Sequence, residues 1–246
     1  MSNFSNQTVI VTGGTRGIGR GITESFLKDG ATVVATYARN DTAAQNFKEE
    51  MIQFGDKLIL RKFDVSKMKA CEDFFTEIET VVPSIEVLVN NSGIRQDNLT
   101  ASMTEDQWDS VIDINLKGSF NMSQKAVLHM MKNRYGRIIN ISSIGGALGL
   151  PGQANYAASK AGQVAISKVL SKEVAKRKIT VNNIAPGFIE TELISDLPAD
   201  QVSEYKKSVP MKRFGTVAEV ASAVKFLASR EASYITGATI EVSGGL

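Results

Sequence analysis

Residues 8 to 19 read T-V-I-V-T-G-G-T-R-G-I-G, from Thr8 to Gly19, and the class of the whole chain turns on them. Thr8 to Thr12 is a β-branched run of strand length, and the I-G-R-G-I-T-E-S-F-L that follows carries apolar residues at helical spacing. Between them Gly13, Gly17 and Gly19 fall in the order G-x-x-x-G-x-G, which permits a tight strand-to-helix turn and close approach of a ligand to the main chain. A pyrophosphate held there would rest on amides at the positive end of a helix. The stretch therefore predicts the first half of a βαβ unit.

Further β-branched runs stand at 31–36, 58–63, 85–90, 137–142, 179–185 and 238–242, each separated from the next by a helical pattern. Seven strands alternating with helices predict an α/β fold of Rossmann type, a doubly wound parallel sheet covered on both faces. Thr104-Glu-Asp-Gln107 and Thr216-Val-Ala-Glu219 read as capping boxes, and the first opens what should be one long helix over 104–133. No repeat or Pro/Gly-rich linker divides the chain, so residues 1–246 are expected to form one domain. The irregular stretch at about 188–209, between a strand and a capped helix, is expected to act as a lid.

Composition excludes several functions. With 28 Lys+Arg against 26 Asp+Glu the net charge is only +2, which gives no field to draw in nucleic acid or an anionic membrane. The single cysteine, Cys71, cannot form an internal disulfide, and the single histidine, His129, has no carboxylate cluster with which to hold a metal. The N-terminus lacks the pattern of a signal segment and no stretch approaches the ~20 apolar residues of a membrane span, so a cytoplasmic protein is expected.

The end of the second strand bears on which dinucleotide fits. A site for NAD places an acid there to accept from the ribose 2′-hydroxyl. Here Thr36 to Asn40 read T-Y-A-R-N, with Tyr37 and Arg39 and no carboxylate before Asp41. Arg39 and Arg16 instead offer two guanidinium forks for a 2′-phosphate, so NADP(H) is the expected cofactor.

Residues 152 to 162, G-Q-A-N-Y-A-A-S-K-A-G, set Tyr156 and Lys160 one helical turn apart, with Cβ atoms about 6 Å from each other. Ser143 closes the fifth strand in I-N-I-S-S, and N-N-S-G at 90–93 closes the fourth. Open α/β sheets bind ligands outside the carboxyl ends of their strands, so all of these fall at one working edge. Asn115, in D-I-N-L-K-G, lies inside the long helix.

Taken in order, these motifs resemble the short-chain dehydrogenase/reductase family, and within it the bacterial 3-oxoacyl-[acyl-carrier-protein] reductases. The resemblance spans essentially the whole chain: T-G-x-x-x-G-x-G, N-N-x-G, the Asn115 helix, Ser143, Y-x-x-x-K, A-P-G-F-I-E-T-E at 185–192, and F-L-A-S followed by Y-I-T-G-A-T-I-E-V-S-G-G. It implies NADPH-dependent reduction of a 3-oxoacyl thioester on an acyl carrier protein, in fatty-acid or related synthesis. Tyr156 would give the proton, with Lys160 lowering the phenol pKa and holding the nicotinamide ribose. Ser143 would hold the substrate oxygen and Asn115 would order a water.

The resemblance places the cofactor against Gly13, Thr15, Arg16, Gly17, Ile18 and Gly19 of the turn, against Tyr37 and Arg39, and against Asp64 and Val65 at the adenine end. Asn91, Ser92 and Gly93, then Pro186, Gly187, Ile189 and Thr191, would complete the pocket with Tyr156 and Lys160. Ser92 departs from the usual alanine of N-N-A-G, and the chain stops a few residues earlier than many members.

Arg134 and Arg177 are the residues expected to dock an acidic carrier; basic residues there also complement two helix C-termini. A homotetramer is implied, with the helices at 104–133 and 155–177 between subunits. Two other readings remain open: a sister reductase acting on acetoacetyl-CoA, a sugar or another ketone or alcohol, and a non-catalytic NADP(H) sensor. The intact Asn/Ser/Tyr/Lys set argues against the sensor.

Overall fold

The computed structural model describes residues 4–192 and 199–246. Its strands are β1 (Thr8–Val11), β2 (Thr32–Tyr37), β3 (Leu58–Lys62), β4 (Val87–Asn90), β5 (Gly136–Ile141), β6 (Ile179–Pro186) and β7 (Thr239–Val242). All pair in parallel, in the order β3-β2-β1-β4-β5-β6-β7. The chain reverses its direction of travel across the sheet between β1 and β4, and the crevice at that reversal is where open sheets take ligands.

The helices are α1 (Gly17–Lys28), α2 (Asp41–Glu50), α3 (Met68–Ile78), α4 (Glu105–Val111), α5 (Gly118–Asn133), α6 (Gly145–Leu148) and α7 (Ala154–Val174), followed by Ala199–Ser208 and Val217–Ala228. Because strand side chains alternate, neighbours along β1 feed different cores. Val9 and Val11 join Ile22 and Phe26 of α1 and Val220 and Val224 on one face. Ile10 joins Leu88, Phe74 of α3, and Met122 and Met130 of α5 on the other. Cys71 is buried in α3, and burial pushes its thiol up to about 12, so it packs as an apolar side chain.

Both capping boxes form. Thr104 Oγ1 accepts from the Gln107 N–H at 3.2 Å and Gln107 Oε1 accepts from the Thr104 N–H at 3.0 Å; Thr216 and Glu219 do the same at 3.2 and 2.7 Å. The long helix, however, is not α-helical throughout. Ile112–Lys117, between α4 and α5, is π-helical. That widened turn leaves the Asn115 carbonyl free to accept from Ser119 Oγ at 2.7 Å and Gln163 Nε2 at 2.9 Å. A one-residue change in the bonding pattern hardly disturbs apolar spacing, so periodicity does not reveal it.

No helix among the described residues is long and apolar enough to cross a membrane. Of the stretch expected to form a lid, residues 193–198 lie outside the described residues.

Candidate active site

The turn Thr12–Arg16 after β1 and the turn Asn91–Gly93 after β4 face each other across the crevice and are tied together. Thr12 Oγ1 accepts from the N–H groups of Asn91 and Ser92 at 2.9 and 3.0 Å, and Asn91 Nδ2 donates to the carbonyls of Thr12 and Gly13 at 3.0 and 3.1 Å. Thr12 is 2% exposed, so this latch is closed to water. Thr12 was not among the residues singled out from sequence, because its partners lie about eighty positions away.

The glycines divide the work. Gly13 and Gly17 have φ of +62° and +51°, a conformation that other residues rarely adopt. A Cβ on Gly19 would stand 2.1 Å from the Gly13 carbonyl oxygen, so the start of α1 can press on the turn only with glycine there. By contrast a Cβ on Gly17 would meet only the Thr191 methyl, at 3.9 Å, which places Thr191 opposite the turn across an open gap. No side chain caps α1 and its first turn carries no acid, leaving its amides and positive end to whatever enters. Thr15 is buried, while Ile18 packs against the core beneath.

Arg16 and Arg39 are exposed, and among the described residues neither forms an ion pair. The nearby acid, Asp41, is already engaged by Lys62 at 2.6 Å, which holds its carboxyl below the usual range. Tyr37 lies beside that pair, and burial together with Asp41 pushes its phenol up. A sugar hydroxyl would therefore find no free carboxylate at the end of β2, whereas a phosphate would find two guanidiniums free of ion pairs. Beyond β3, Asp64 Oδ1 accepts from Ser66 N–H at 2.9 Å and Val65 O accepts from Asn121 Nδ2 at 2.9 Å, which fixes that turn.

Ser143, Tyr156 and Lys160 meet on the far side of the crevice. Ser143 Oγ accepts from the Gly145 N–H at 3.0 Å and stands beside the Tyr156 ring: a Cβ on Gly145 would lie 3.3 Å from Ser143 Oγ and 3.7 Å from Tyr156 Cε1. Lys160 is 4% exposed, and its Nζ donates to Ile141 O at 2.7 Å while lying 5.6 Å from the centre of the Tyr156 ring. Burial brings the ammonium down to about 8.

The phenol departs from expectation. Burial pushes its pKa above the ordinary value, against the opposing pull of the Ser143 hydroxyl and the Arg95 charge. The ammonium is spent on a carbonyl at the ring face, not aimed at the hydroxyl, so it does not offset desolvation.

A Cβ on Gly93 would lie 3.3 Å from Asn115 Oδ1 and 3.6 Å from Lys160 Nζ, so Asn115 reaches the same floor. Its side chain accepts from Ile94 N–H at 2.8 Å and donates to Ile94 O at 3.0 Å and Ser159 Oγ at 3.1 Å. At the end of β6, Gly187 N–H donates to Val242 O at 3.0 Å, and a Cβ there would press on the Ser243 backbone at 2.9 Å. Pro186 O accepts from Ile144 N–H at 3.2 Å, and Ile189 is buried by its bridge to Gly215. The sites named for cofactor and chemistry thus share one edge. Arg134 and Arg177 do not: they are exposed just before β5 and β6, at the opposite edge of the sheet.

A family model described as Enoyl-(Acyl carrier protein) reductase matches residues 13–246. The chain is 43% identical over 241 residues to the 3-oxoacyl-[acyl-carrier-protein] reductase FabG of Staphylococcus epidermidis, covering 98% of this chain and 99% of that protein. It is 44% identical over 244 residues to the protein of that name in Salmonella typhimurium and 43% to that in Escherichia coli, each time covering 99% of this chain and 98% of the relative.

Proposed function

Since the chain belongs to the short-chain dehydrogenase/reductase family, and thus to enzymes that use a nicotinamide cofactor, we propose that it reduces the ketone of a 3-oxoacyl thioester, carried on acyl carrier protein, to the 3-hydroxyacyl thioester. The observation that carries this reading is the meeting of the Ser143 hydroxyl and the Tyr156 phenol at the crevice, in a chain alike from end to end to 3-oxoacyl reductases. When bound, the cofactor supplies the hydride.

The chain's residues would do the rest. Tyr156, protonated at neutral pH, gives its proton to the ketone oxygen. Ser143 accepts from Gly145 through Oγ and keeps its own proton to donate toward the oxygen on which charge develops. Lys160 keeps two protons beyond the one on Ile141 O, with which it would hold the nicotinamide ribose. Asn115 would hold the Ile94 turn under the site and order a water there.

The glycine turn and the α1 amides would hold the pyrophosphate. Arg16 and Arg39 would hold the 2′-phosphate of NADP(H), a choice supported by the engaged state of Asp41. Asp64, Val65 and Asn91 to Gly93 would line the adenosine side, and Pro186, Gly187, Ile189 and Thr191 the nicotinamide side. A lid role for 188–209 rests on Phe188, whose ring stacks on Tyr205 of the helix Ala199–Ser208 at 4.7 Å.

Carrier docking at Arg134 and Arg177 sets a geometric condition. They stand at the start of strands that end in the site, and β6 alone spans 8 residues, or ~26 Å. A carrier bound there would serve the site of a neighbouring copy, consistent with a homotetramer; a monomer in sedimentation would overturn that part.

The family description raises a second reaction, reduction of a carbon–carbon double bond. That chemistry needs a proton at carbon, whereas Ser143 and Tyr156 are set for one oxygen. NADPH oxidation should be followed with acetoacetyl-carrier protein, acetoacetyl-CoA, a crotonyl thioester and simple ketones, with NADH in comparison. The 3-oxoacyl thioesters should lead. Equal rates on unrelated ketones, or faster reduction of the crotonyl thioester, would overturn the assignment.

A further inference from the structure

Arg95 has no part in the roles above, yet its guanidinium lies 5.8 Å from the centre of the Tyr156 ring. It is held there from two sides. Asp97 takes Arg95 Nη2 in a short ion pair and Nε at 3.3 Å, and Gln153 Nε2 in turn donates to Asp97 Oδ2 at 3.0 Å. Gln153 is buried at the residue before α7, so the relay begins three positions from the tyrosine it reaches over. The loop has two more ties to the same helix start. Asn155 Nδ2 donates to Gln96 O at 3.0 Å, and Asn98 N–H donates to Gly152 O at 2.9 Å.

An ion pair left 43% and 37% exposed contributes little to stability. What this one does is fix a cation over an aromatic face, an arrangement whose attraction falls off quickly with misplacement. We propose that Arg95 is a positioning residue for the reaction: clamped by Asp97 and Gln153, it braces the Tyr156 ring and sets a second positive charge beside the phenol.

Among the described residues, several elements bring charged or titratable groups to that phenol. Arg95 and Asp97 come from the loop after β4, Lys160 from the same helix, and the Ser143 hydroxyl from the end of β5; Tyr205, from the helix Ala199–Ser208, faces Arg95 in turn. Burial raises the phenol pKa and Asp97 adds to the rise, while Ser143 and Arg95 oppose it. Removing the Arg95 charge therefore makes the phenol a weaker acid, and neutralising by a methionine of similar length leaves the packing largely in place.

The role rests on Tyr156 being the proton donor, but the first test needs no substrate. The Cζ signals of 13C-labelled tyrosine should be titrated from about pH 9 upward, past the ordinary tyrosine value of about 10 until both midpoints are reached, with Tyr156→Phe identifying the signal. In Arg95→Met the Tyr156 signal should move at higher pH than in the wild type, while Arg95→Lys should track the wild type. An unchanged midpoint in Arg95→Met would overturn the proposal.

The kinetic counterpart is oxidation of a 3-hydroxyacyl thioester, which needs the phenolate. There Arg95→Met should lose ~3- to 10-fold at neutral pH, with the gap closing as pH rises. A loss equal at every pH would mark a merely structural role and would also overturn the proposal. Failure of the wild type to turn over any such thioester would strike the substrate reading alone, since the phenol titration still decides Arg95.

Discussion

Replacing Lys160 with methionine should make the protein more tolerant of neutral pH while destroying its activity, and the two effects have one source. The ammonium is fully enclosed and its pKa falls from about 10.5 to about 8 on folding, with burial as the cause. At pH 7 the lysine is charged in both states, so the folded chain carries the full cost of burying that charge. With 1.36 kcal/mol per pKa unit this is about 3 kcal/mol.

The sign follows from proton counting. Between the folded value of about 8 and the unfolded value the unfolded chain binds more protons, so wild-type stability rises with pH and the penalty shrinks to about 1 kcal/mol near pH 10. Methionine has no such dependence. Losing the bond to Ile141 O costs about 1–3 kcal/mol at either pH, so the absolute difference is less informative than its change. Urea unfolding of both proteins, at one protomer concentration, should show the variant's standing relative to wild type falling by about 2 kcal/mol from pH 7 to pH 10. A difference that stays constant would mean the lysine is not buried charged, and the reasoning about this site would fail.

Three other substitutions probe the remaining parts. Tyr156→Phe should retain NADPH binding and lose about 10²- to 10⁴-fold in turnover; unchanged turnover would contradict proton donation by the phenol. Arg16→Ala with Arg39→Ala should weaken NADPH about 10²-fold or more in a fluorescence titration and leave NADH nearly untouched, whereas equal losses would place both arginines outside the 2′-phosphate pocket. Gly19→Ala must push the α1 start away from the Gly13 carbonyl, so it should cost about 1–3 kcal/mol and reduce cofactor affinity at least ~10-fold; a variant with wild-type affinity would show that the turn yields freely.

The sequence displays those features whose physical requirement is local. Gly13, Gly17 and Gly19 can be read because a turn of positive φ and a close helix approach need glycine within a few positions. The two capping boxes are visible because each partner is three residues from the other. What stays hidden is set by pairing between distant segments. Asn90 and Asn140 are directly paired across β4 and β5, and Asn140 and Asn183 across β5 and β6. Their amides join Ser123 and Ser167 in a buried network, with Asn90 Nδ2 on Asn140 Oδ1 at 2.7 Å and Asn140 Nδ2 on Ser167 Oγ at 2.8 Å. No strand by itself announces that its asparagine will find a partner on the next. The Arg95 clamp is hidden for the same reason: Gln153 and Asp97 are far apart in the chain and meet only once α7 docks on the loop after β4.

The same burial that hides these contacts sets the order in which the central pair titrates. In water a phenol and an ammonium have nearly equal pKa values, so neither state of the pair is favoured by chemistry alone. Enclosure acts on them in opposite directions, raising Tyr156 and lowering Lys160 to about 8, because in each case it is the charged form that loses its water. The tyrosine therefore holds its proton through the neutral range, as a proton donor in ketone reduction must, and the lysine gives up its own first as pH rises. Spacing one turn apart on a helix puts the two side chains on one face, but it does not decide which is the acid. That is decided by enclosure, delivered by the sheet edge and its loops rather than by the helix; Ser143 and Arg95 only temper the tyrosine's rise, and Ile141 O gives the buried ammonium a partner.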